Sequence, residues 1–466
     1  MTVSALRPIS ALLGALLTAG CAGGLIVQDP VPIPVEVAQV ALPPAKSFGA
    51  PRPQPPMRSN QEIARDFLDL SFQLESGTTL ERFTRFEDPV TVALAGTISP
   101  YADRELDQLV ARLQREAGLN ISRLPDGAPA RIVVEGISRK NLERAVPEAA
   151  CFVLPTRITW EEFRSNPRRR DLAWSLLETR EAATVFIPAD IAPQEIRDCL
   201  HEEIAQALGP LNDLYRLEDS IFNDDNMNSV LTGFDMLVLR VTYDPRLRSG
   251  MSFEEVQAVL PTILAQKNPR GQSIPTRPYQ PSPKDWVDAI QRALGPGGSQ
   301  GARRAAANRA LAVAQEQNWQ ETRMGLSLFT AGRLAAPRDG DLALEAFLGA
   351  EDVFRARRAT EIHAAHVGMP ISAFALASGE PDLAILIADR YIPVAQLYEN
   401  AALLADFYFV KSAALMEQGQ KAASEAALRE GFAWAQFGLR SEQEIRQRAA
   451  EIAALPPPAM EEEAGI

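Results

Sequence analysis

The feature that most constrains the fold of this 466-residue chain is a change of pattern at a Pro- and Gly-rich stretch, residues 266–301. Before this stretch, helix and strand patterns alternate along the chain. After it, residues 302–455 are rich in alanine and have helical periodicity without any strand pattern. The change predicts two domains joined by a linker, with one short helix inside the linker near Ser282-Pro283.

Residues 59–265 are predicted to form an α+β domain. Three apolar segments have the composition of strands, and they cover residues 89–95, 131–135 and 183–187. Residues 102–117 have apolar side chains at helical spacing. Because helices and strands alternate, we expect a mixed sheet covered by helices.

Residues 302–455 are predicted to be all helical. Residues 375–384 parallel residues 414–423, since each segment contains a helix end, a turn glycine and a new helix start. This pattern resembles tetratricopeptide-like helical hairpins, and a plain helical bundle is the alternative. We expect this domain to present a surface to a protein partner. The tail, residues 456–466, is predicted to be disordered.

The first twenty residues have the pattern of a signal peptide. Their apolar part, residues 9–19, is too short to cross a bilayer. The sequence Leu17-Thr-Ala-Gly-Cys21 resembles the lipobox of bacterial lipoproteins, in which the cysteine is acylated and becomes the mature N-terminus. The alternative is an ordinary secretory signal followed by a chance cysteine. The resemblance implies a lipid anchor on Cys21 at the periplasmic side of the envelope, and Ala22, which is not an aspartate, favours the outer membrane.

This location affects the rest of the chain. Residues 21–58 are rich in proline and are predicted to be an extended tether. With Cys21 acylated, Cys151 and Cys199 remain, and an exported protein enters an oxidising compartment. We therefore expect a disulfide between them, with two free buried thiols as the alternative. The net charge of -13 argues against nucleic acid as a partner, so the expected contacts are a membrane through the anchor and a protein.

Residues 193–208 are predicted to form a helix that carries most of the candidate site residues. Ile196, Leu200 and Ile204 form an apolar stripe at helical spacing, and Glu203 lies in the middle of it. A carboxylate on a buried face is unfavourable unless it is paired, hydrogen-bonded or protonated. His201 lies to one side of the stripe and is predicted to be on the surface.

The same helix resembles the zinc-binding helix of matrixin-type metalloproteases, whose pattern is HExxHxxGxxH. In this alignment Glu203 has the position of the catalytic glutamate and Gly209 that of the turn glycine. The three metal-ligand positions hold Glu202, Gln206 and Asn212 where the family has histidine. The likeness continues in residues 220–223, where matrixins have a methionine-bearing turn, and in residues 231–243, which match their closing helix.

Residues 60–250 also resemble a family of proteobacterial lipoproteins built on domain of unknown function 2927. Five segments carry this resemblance, and they are residues 67–70, 85–90, 199–203, 220–225 and 243–250. The family brings no known reaction, but it agrees with the lipid anchor and with the two-cysteine pattern.

Catalysis and metal binding are separate questions. A catalytic zinc site uses three protein ligands, and glutamine and asparagine are poor zinc donors. We therefore expect no cofactor and a non-catalytic binding or scaffolding role. The alternative is a metal-dependent, peptidase-like hydrolase that uses Glu203 as catalytic residue and holds zinc or calcium. The acidic run in residues 213–225 is predicted to be solvated, with a calcium site as the alternative. His363 and His366 are predicted to have a structural or surface role, with a shared metal as the alternative.

Overall fold

The computed structural model describes residues 33, 37–38, 40–49, 51–147 and 149–457. The chain divides into two compact units: one is Arg52–Ser282, and the other combines the residues up to Pro51 with those from Pro283 onward. The segment predicted to be a signal peptide, Cys21 and residues 458–466 lie outside the described residues, so the expectations for them stay predictions. The described residues contain no helix that is both long and apolar enough to cross a membrane.

The first unit is built on a five-stranded mixed sheet. Its strands are β1 Val90–Gly96, β2 Ile121–Arg123, β3 Ile132–Ile137, β4 Phe152–Leu154 and β5 Ala183–Pro188. They lie in the order β2-β1-β3-β5-β4, and only the edge strand β4 is antiparallel to its neighbour. The three longest strands are the three predicted from the sequence. Every residue of β5 is buried, which explains its continuous apolar pattern.

Seven helices of the unit, all within its described residues, surround this sheet. They are α1 Asn60–Phe72, α2 Pro100–Arg112, α3 Arg139–Ala145, α4 Trp160–Ser165, α5 Pro193–Leu208, α6 Gly233–Thr242 and α7 Phe253–Lys267. The helix predicted over residues 102–117 is α-helical only to Arg112. It continues as a π-helical turn, Leu113–Ala117, and ends at Gly118, whose φ of 68° suits glycine.

The second unit is all helical. Its helices are α8 Lys284–Leu294, α9 Gln300–Glu316, α10 Thr322–Ala335, α11 Gly340–Arg355, α12 Glu361–Ala377, α13 Pro381–Leu397, α14 Ala401–Glu417, α15 Lys421–Gly438 and α16 Glu442–Ala453. Each helix packs on the next one along the chain. Gly379 and Gly419 make the two predicted turns with φ values of 75° and 72°. The expected fold class, a mixed α/β unit followed by a helical one, is confirmed.

Part of the predicted tether packs against the helical unit. The backbone amide of Lys46 donates to the Ala433 carbonyl at 3.0 Å. The Phe48 ring stacks on Trp434 with 4.7 Å between centroids. The Arg446 guanidinium donates to the backbone carbonyls of residues 37, 38 and 40. Residues 41–49 form neither helix nor strand, as expected, whereas residues 37 and 38 are helical. Backbone carbonyls of the segment accept hydrogen bonds from a side chain of the helical unit.

The first part of the predicted linker packs on the α/β unit. The Arg277 guanidinium donates to the carboxylates of Glu62 and Glu218 at 2.6 and 3.2 Å. The Tyr279 hydroxyl donates to Asp69 at 3.1 Å. These polar contacts give residues 268–282 a fixed course that their proline content did not predict.

Candidate functional site

Helix α5 is placed at the sheet by both of its ends. Pro193 occupies its first turn, and the Glu195 side chain accepts from the Ala192 amide at 3.1 Å. At the other end the buried Arg180 guanidinium donates to the carbonyls of Gln206, Ala207 and Gly209 at 2.6–2.7 Å. The helix follows β5 directly, and its apolar stripe enters the main core as predicted.

Glu203 lies in that buried face and is only 4% exposed. Its Oε2 atom has no hydrogen-bond partner among the described residues. The neighbouring Glu202 is partly exposed. Carboxylate oxygens of Glu202 and Glu203 and the Cys151 sulfur all lie within 4.8 Å of one another. Helix α5 thus carries two adjacent carboxylates at the boundary between core and solvent.

Three further carboxylates face this pair, and we call the five residues the acidic cluster: Glu75, Glu202, Glu203, Asp213 and Asp224. Burial, then the charges of Glu75 and Asp224, raise the pKa of Glu202 to about 8. Burial, then the charge of Glu202, raises the pKa of Glu203 well above its usual range. The same causes raise the pKa of Asp213, which also shares a hydrogen bond with Glu75.

No arginine or lysine contributes to the shifted pKa values of Glu202, Glu203 or Asp213, which burial and the charges of neighbouring carboxylates raise. Elsewhere, Asp66 is bound by Arg58 and Arg216 at 2.8–3.1 Å. Carboxylates gathered without a counter-charge repel one another and become protonated or bind a cation. The arrangement can therefore take up positive charge.

Two of the three ligand positions expected from the matrixin resemblance have different hydrogen-bond partners in the structure. Gln206 donates through Nε2 to Asp213 at 3.4 Å, beside Glu202 in the acidic cluster. Asn212 instead donates through Nδ2 to the Asp69 carbonyl at 3.1 Å. With neutral amides at two of the three positions and one of them engaged with the backbone, these residues do not fit a zinc ion.

Three members of the acidic cluster, Glu75, Asp213 and Asp224, were not predicted as site residues. Asp213 directly follows Asn212 and could have been found as the acid that ends the motif. Glu75 lies in the turn after α1 and reaches Asp213 from 138 positions away in the sequence. No local spacing pattern indicates such a contact.

Two predictions about polar residues near the site are wrong. His201 is only 4% exposed, and its Nδ1 accepts a hydrogen bond from the Leu231 amide at 3.0 Å. It is buried because the loop before α6 covers that side of α5. The run in residues 213–225 is not a solvated loop either. Glu218 and Asp225 are buried, and Asp225 accepts from Asn223 at 2.8 Å and from the Met227 amide at 3.0 Å.

The loop that covers the site is fastened to α6 by Asp235. This fully buried carboxylate accepts from the Ser220 hydroxyl at 2.5 Å and from the amides of Ile221 and Thr232 at 3.1 and 2.7 Å. The same residue forms the capping box of α6 with Thr232. Residues 220–221 are thereby joined to the start of α6.

We expect Asp235→Ala to lower the free energy of unfolding by about 3 kcal/mol, because three buried donors lose their acceptor. Hydrogen exchange of residues 219–235 should increase accordingly. Asp126→Asn is the matched control, since Asp126 is a 45% exposed partner of Arg123 and its loss should change the free energy by less than about 1 kcal/mol. Equal exchange in the two variants would contradict this role for Asp235.

The predicted disulfide between Cys151 and Cys199 is confirmed. Cys199 lies on α5, one turn before Glu202 and Glu203, and Cys151 directly precedes β4. The bond therefore joins the edge strand of the sheet to the helix that carries the acidic cluster. Cys199 is 5% exposed, whereas Cys151 is partly exposed.

Comparison with known proteins gives one match. Residues 60–262 match the model of a family described as a protein of unknown function (DUF2927). The match covers the whole sheet and the acidic cluster, and it supports the family resemblance predicted for this part of the chain. No curated protein and no solved structure matches the chain significantly. The family description names no activity, so the geometry of the site has to carry the functional argument.

Proposed function

We propose that the DUF2927 domain of this chain is a non-catalytic domain that binds a divalent cation on its acidic cluster. In this proposal the whole chain is a lipid-anchored binding protein on the periplasmic side of the cell envelope, at the outer membrane. The helical unit contacts a protein partner. The cation stabilises the α/β unit and is not used for hydrolysis.

One observation carries the cation site: the buried Oε2 of Glu203 has no hydrogen-bond partner among the described residues, and it lies beside the carboxylate of Glu202. A buried carboxylate without a partner is strongly unfavourable. A bound divalent cation would neutralise two charges and satisfy the free lone pairs at once. In this proposal Glu75 and Asp224, which are more exposed and whose charges act on Glu202, complete the coordination.

The donor atoms favour calcium over zinc. All ligands in the acidic cluster are oxygens, and hard cations such as Ca²⁺ prefer six to eight oxygen ligands at about 2.3–2.6 Å. Two oxygens bound to one Ca²⁺ lie at most about 5 Å apart. The separation of up to 4.8 Å between the Glu202 and Glu203 oxygens agrees with this limit. Zinc prefers imidazole and thiolate, which the oxidised site does not offer.

A non-catalytic role is supported by the residues that replace the matrixin histidines. Glu203 has the position of a catalytic glutamate, but Asn212 is engaged with the Asp69 carbonyl. The domain is therefore proposed to be a degenerate metallopeptidase-like domain put to a binding use. The metal-dependent hydrolase, which was the alternative, has no specific observation in its favour.

The envelope location rests on the lipobox-like sequence that ends at Cys21. The protein partner is supported by large apolar side chains on the surface of the helical unit. Two of them, Leu383 and Leu386, are 45% and 57% exposed on α13. Exposed apolar groups that lie together on one element are typical of protein-binding surfaces.

Thermal unfolding with and without calcium tests the cation site. For the wild-type chain we expect calcium at 100 times its Kd to stabilise the α/β unit by about 2.7 kcal/mol, because only the folded state gathers the carboxylates. Glu203→Gln keeps the shape of the side chain but removes its charge. This variant should lose the response to calcium and should be at least as stable as the wild type without metal.

Glu254→Gln is the matched control, because Glu254 is an exposed glutamate of α7 outside the acidic cluster. It should respond to calcium as the wild type does. The proposal fails if calcium, magnesium and manganese all leave the wild-type unfolding unchanged. It also fails if Glu203→Gln responds to them as strongly as the control.

A further inference from the structure

The Cys151 sulfur lies at the edge of the acidic cluster. It is within 4.8 Å of carboxylate oxygens of both Glu202 and Glu203. Cys199 and these two glutamates are spaced three and four residues apart on α5, so the disulfide and the carboxylates share one face of the helix. The two oxygens and the sulfur are close enough together to contact one ion.

In the disulfide this sulfur is a weak ligand, because it has no negative charge and is bonded to Cys199. A cysteine thiolate, by contrast, is among the strongest protein ligands for thiophilic divalent cations. Neighbouring carboxylates disfavour a thiolate by charge repulsion, but a cation bound among them would reverse this effect. The Cys151 sulfur could therefore serve as a thiolate ligand beside the carboxylates, but only after the disulfide is reduced.

We propose that the Cys151–Cys199 disulfide masks the third ligand of a thiolate–carboxylate site, so that its reduction converts the acidic cluster from a site for hard cations into one for a zinc-like cation. The ligands in the reduced form are the Cys151 thiolate, Glu202 and Glu203. This inference rests on the proposed cation site and adds to it a redox control and a second class of ligand.

The chemistry balances with a dithiol as the reductant. The dithiol supplies two electrons and two protons, the S–S bond breaks, and two protein thiols form while the dithiol becomes a disulfide. Its attack is directed at the partly exposed Cys151, and Cys199 is the leaving sulfur. When the cation binds, the Cys151 thiol gives its proton to solvent and the sulfur lone pair is donated to the metal.

Reduction and cation binding are then linked in both directions. If reduction increases the affinity for a thiophilic cation by a given factor, the cation favours reduction by the same factor. We expect a factor of roughly 100, near the upper end for coupled sites. A carboxylate-only site would show no such dependence on the redox state.

Two variants of the whole chain, each of which keeps Cys21 and one of the two disulfide cysteines, test the inference with cadmium as a zinc-like probe. Cys199→Ser leaves Cys151 as a free thiol beside the two glutamates, and Cys151→Ser leaves Cys199. We expect Cys199→Ser to bind one cadmium ion with thiolate-to-metal charge-transfer absorption in the ultraviolet. Cys151→Ser should bind roughly 100-fold more weakly. Adding Glu202→Gln to Cys199→Ser should weaken the binding as well.

If either variant fails to fold, the wild type is reduced with a phosphine, the reductant is removed, and the same titration is made against the oxidised protein. The inference is overturned if Cys199→Ser and Cys151→Ser give equal absorption, or if reduced and oxidised wild type bind cadmium equally. Calcium binding by the oxidised wild type separates the two proposals. Calcium binding without a cadmium response would overturn only the redox inference, whereas a cadmium response without calcium binding would overturn the hard-cation function.

Discussion

Replacing Arg180 with methionine should lower the free energy of unfolding of the α/β unit by about 4 kcal/mol, which would leave it close to unfolding. The buried guanidinium binds three carbonyls at the end of α5 and donates through Nε to Thr84 at 3.2 Å. It also lies over the Trp174 ring, 4.8 Å from its centroid. Methionine keeps the apolar length but leaves the carbonyls without donors.

The pKa of Arg180 shows how far this contact is removed from water. Burial lowers that pKa to about 10. The side chain therefore stays charged at neutral pH, and its charge faces the negative end of the α5 dipole. Arg180→Lys should also lower the free energy of unfolding, but by less than Arg180→Met. One ammonium group keeps the charge but cannot reproduce the planar fork of donors.

Hydrogen exchange of the slowest amides in the sheet measures this loss of unfolding free energy, since these amides exchange only when the whole unit unfolds. Arg131→Met is the matched control. Arg131 is a 31% exposed arginine of the same unit that pairs with the exposed Asp88, and its loss should change the free energy by less than about 1 kcal/mol. If Arg180→Met exchanged no faster than this control, the proposed anchoring of α5 would be wrong.

Removing the disulfide with the pair Cys151→Ala and Cys199→Ala should have an effect of similar size. The bond closes a loop of 48 residues, and restoring that freedom to the unfolded chain corresponds to about 4 kcal/mol in the chain-entropy model. The loss of stability should be largest in the two elements that the disulfide joins, β4 and α5. We therefore expect faster exchange in β4 and α5 than in β1 and β2.

A test of this pattern compares the double variant with the wild type at the same denaturant concentration. Replacing Cys21 with alanine is the control, because it removes the remaining cysteine without touching the bond. An unchanged free energy in the double variant would show that the unit is equally constrained without the covalent link. A loss spread evenly over the sheet would contradict the special role of β4.

The strands that could be predicted from the sequence are those long enough to show a pattern of apolar residues. β1, β3 and β5 have six or seven residues each and buried apolar side chains, so composition alone indicated them. β2 and β4 have only three residues. A segment of that length has no room for a periodic signal, and its strand form comes from the neighbouring strand that it pairs with.

Only the part of the site that lies on helix α5 could be predicted from the sequence. The position of Glu203 within an apolar stripe already indicated an unusual carboxylate. The rest depends on contacts between distant segments. Glu75 approaches from the turn after α1, and His201 is covered by the loop at Leu231. Such contacts follow from tertiary packing, which local spacing does not contain.

The contact between the N-terminal segment and the last helices has a consequence for the timing of synthesis. The carbonyl of Val37 meets its donor Arg446 across 409 positions of the chain. At about 5–20 residues per second, a ribosome needs roughly 20–80 s to make that stretch. Throughout this interval residues 37–38 and 40–49 lack their contacts with the last helices, and the whole α/β unit, Arg52–Ser282, is synthesised before those helices. The helical unit is therefore the last part of the molecule that can complete its packing. In a nascent chain, the N-terminal segment stays unpacked until the last helices have been made.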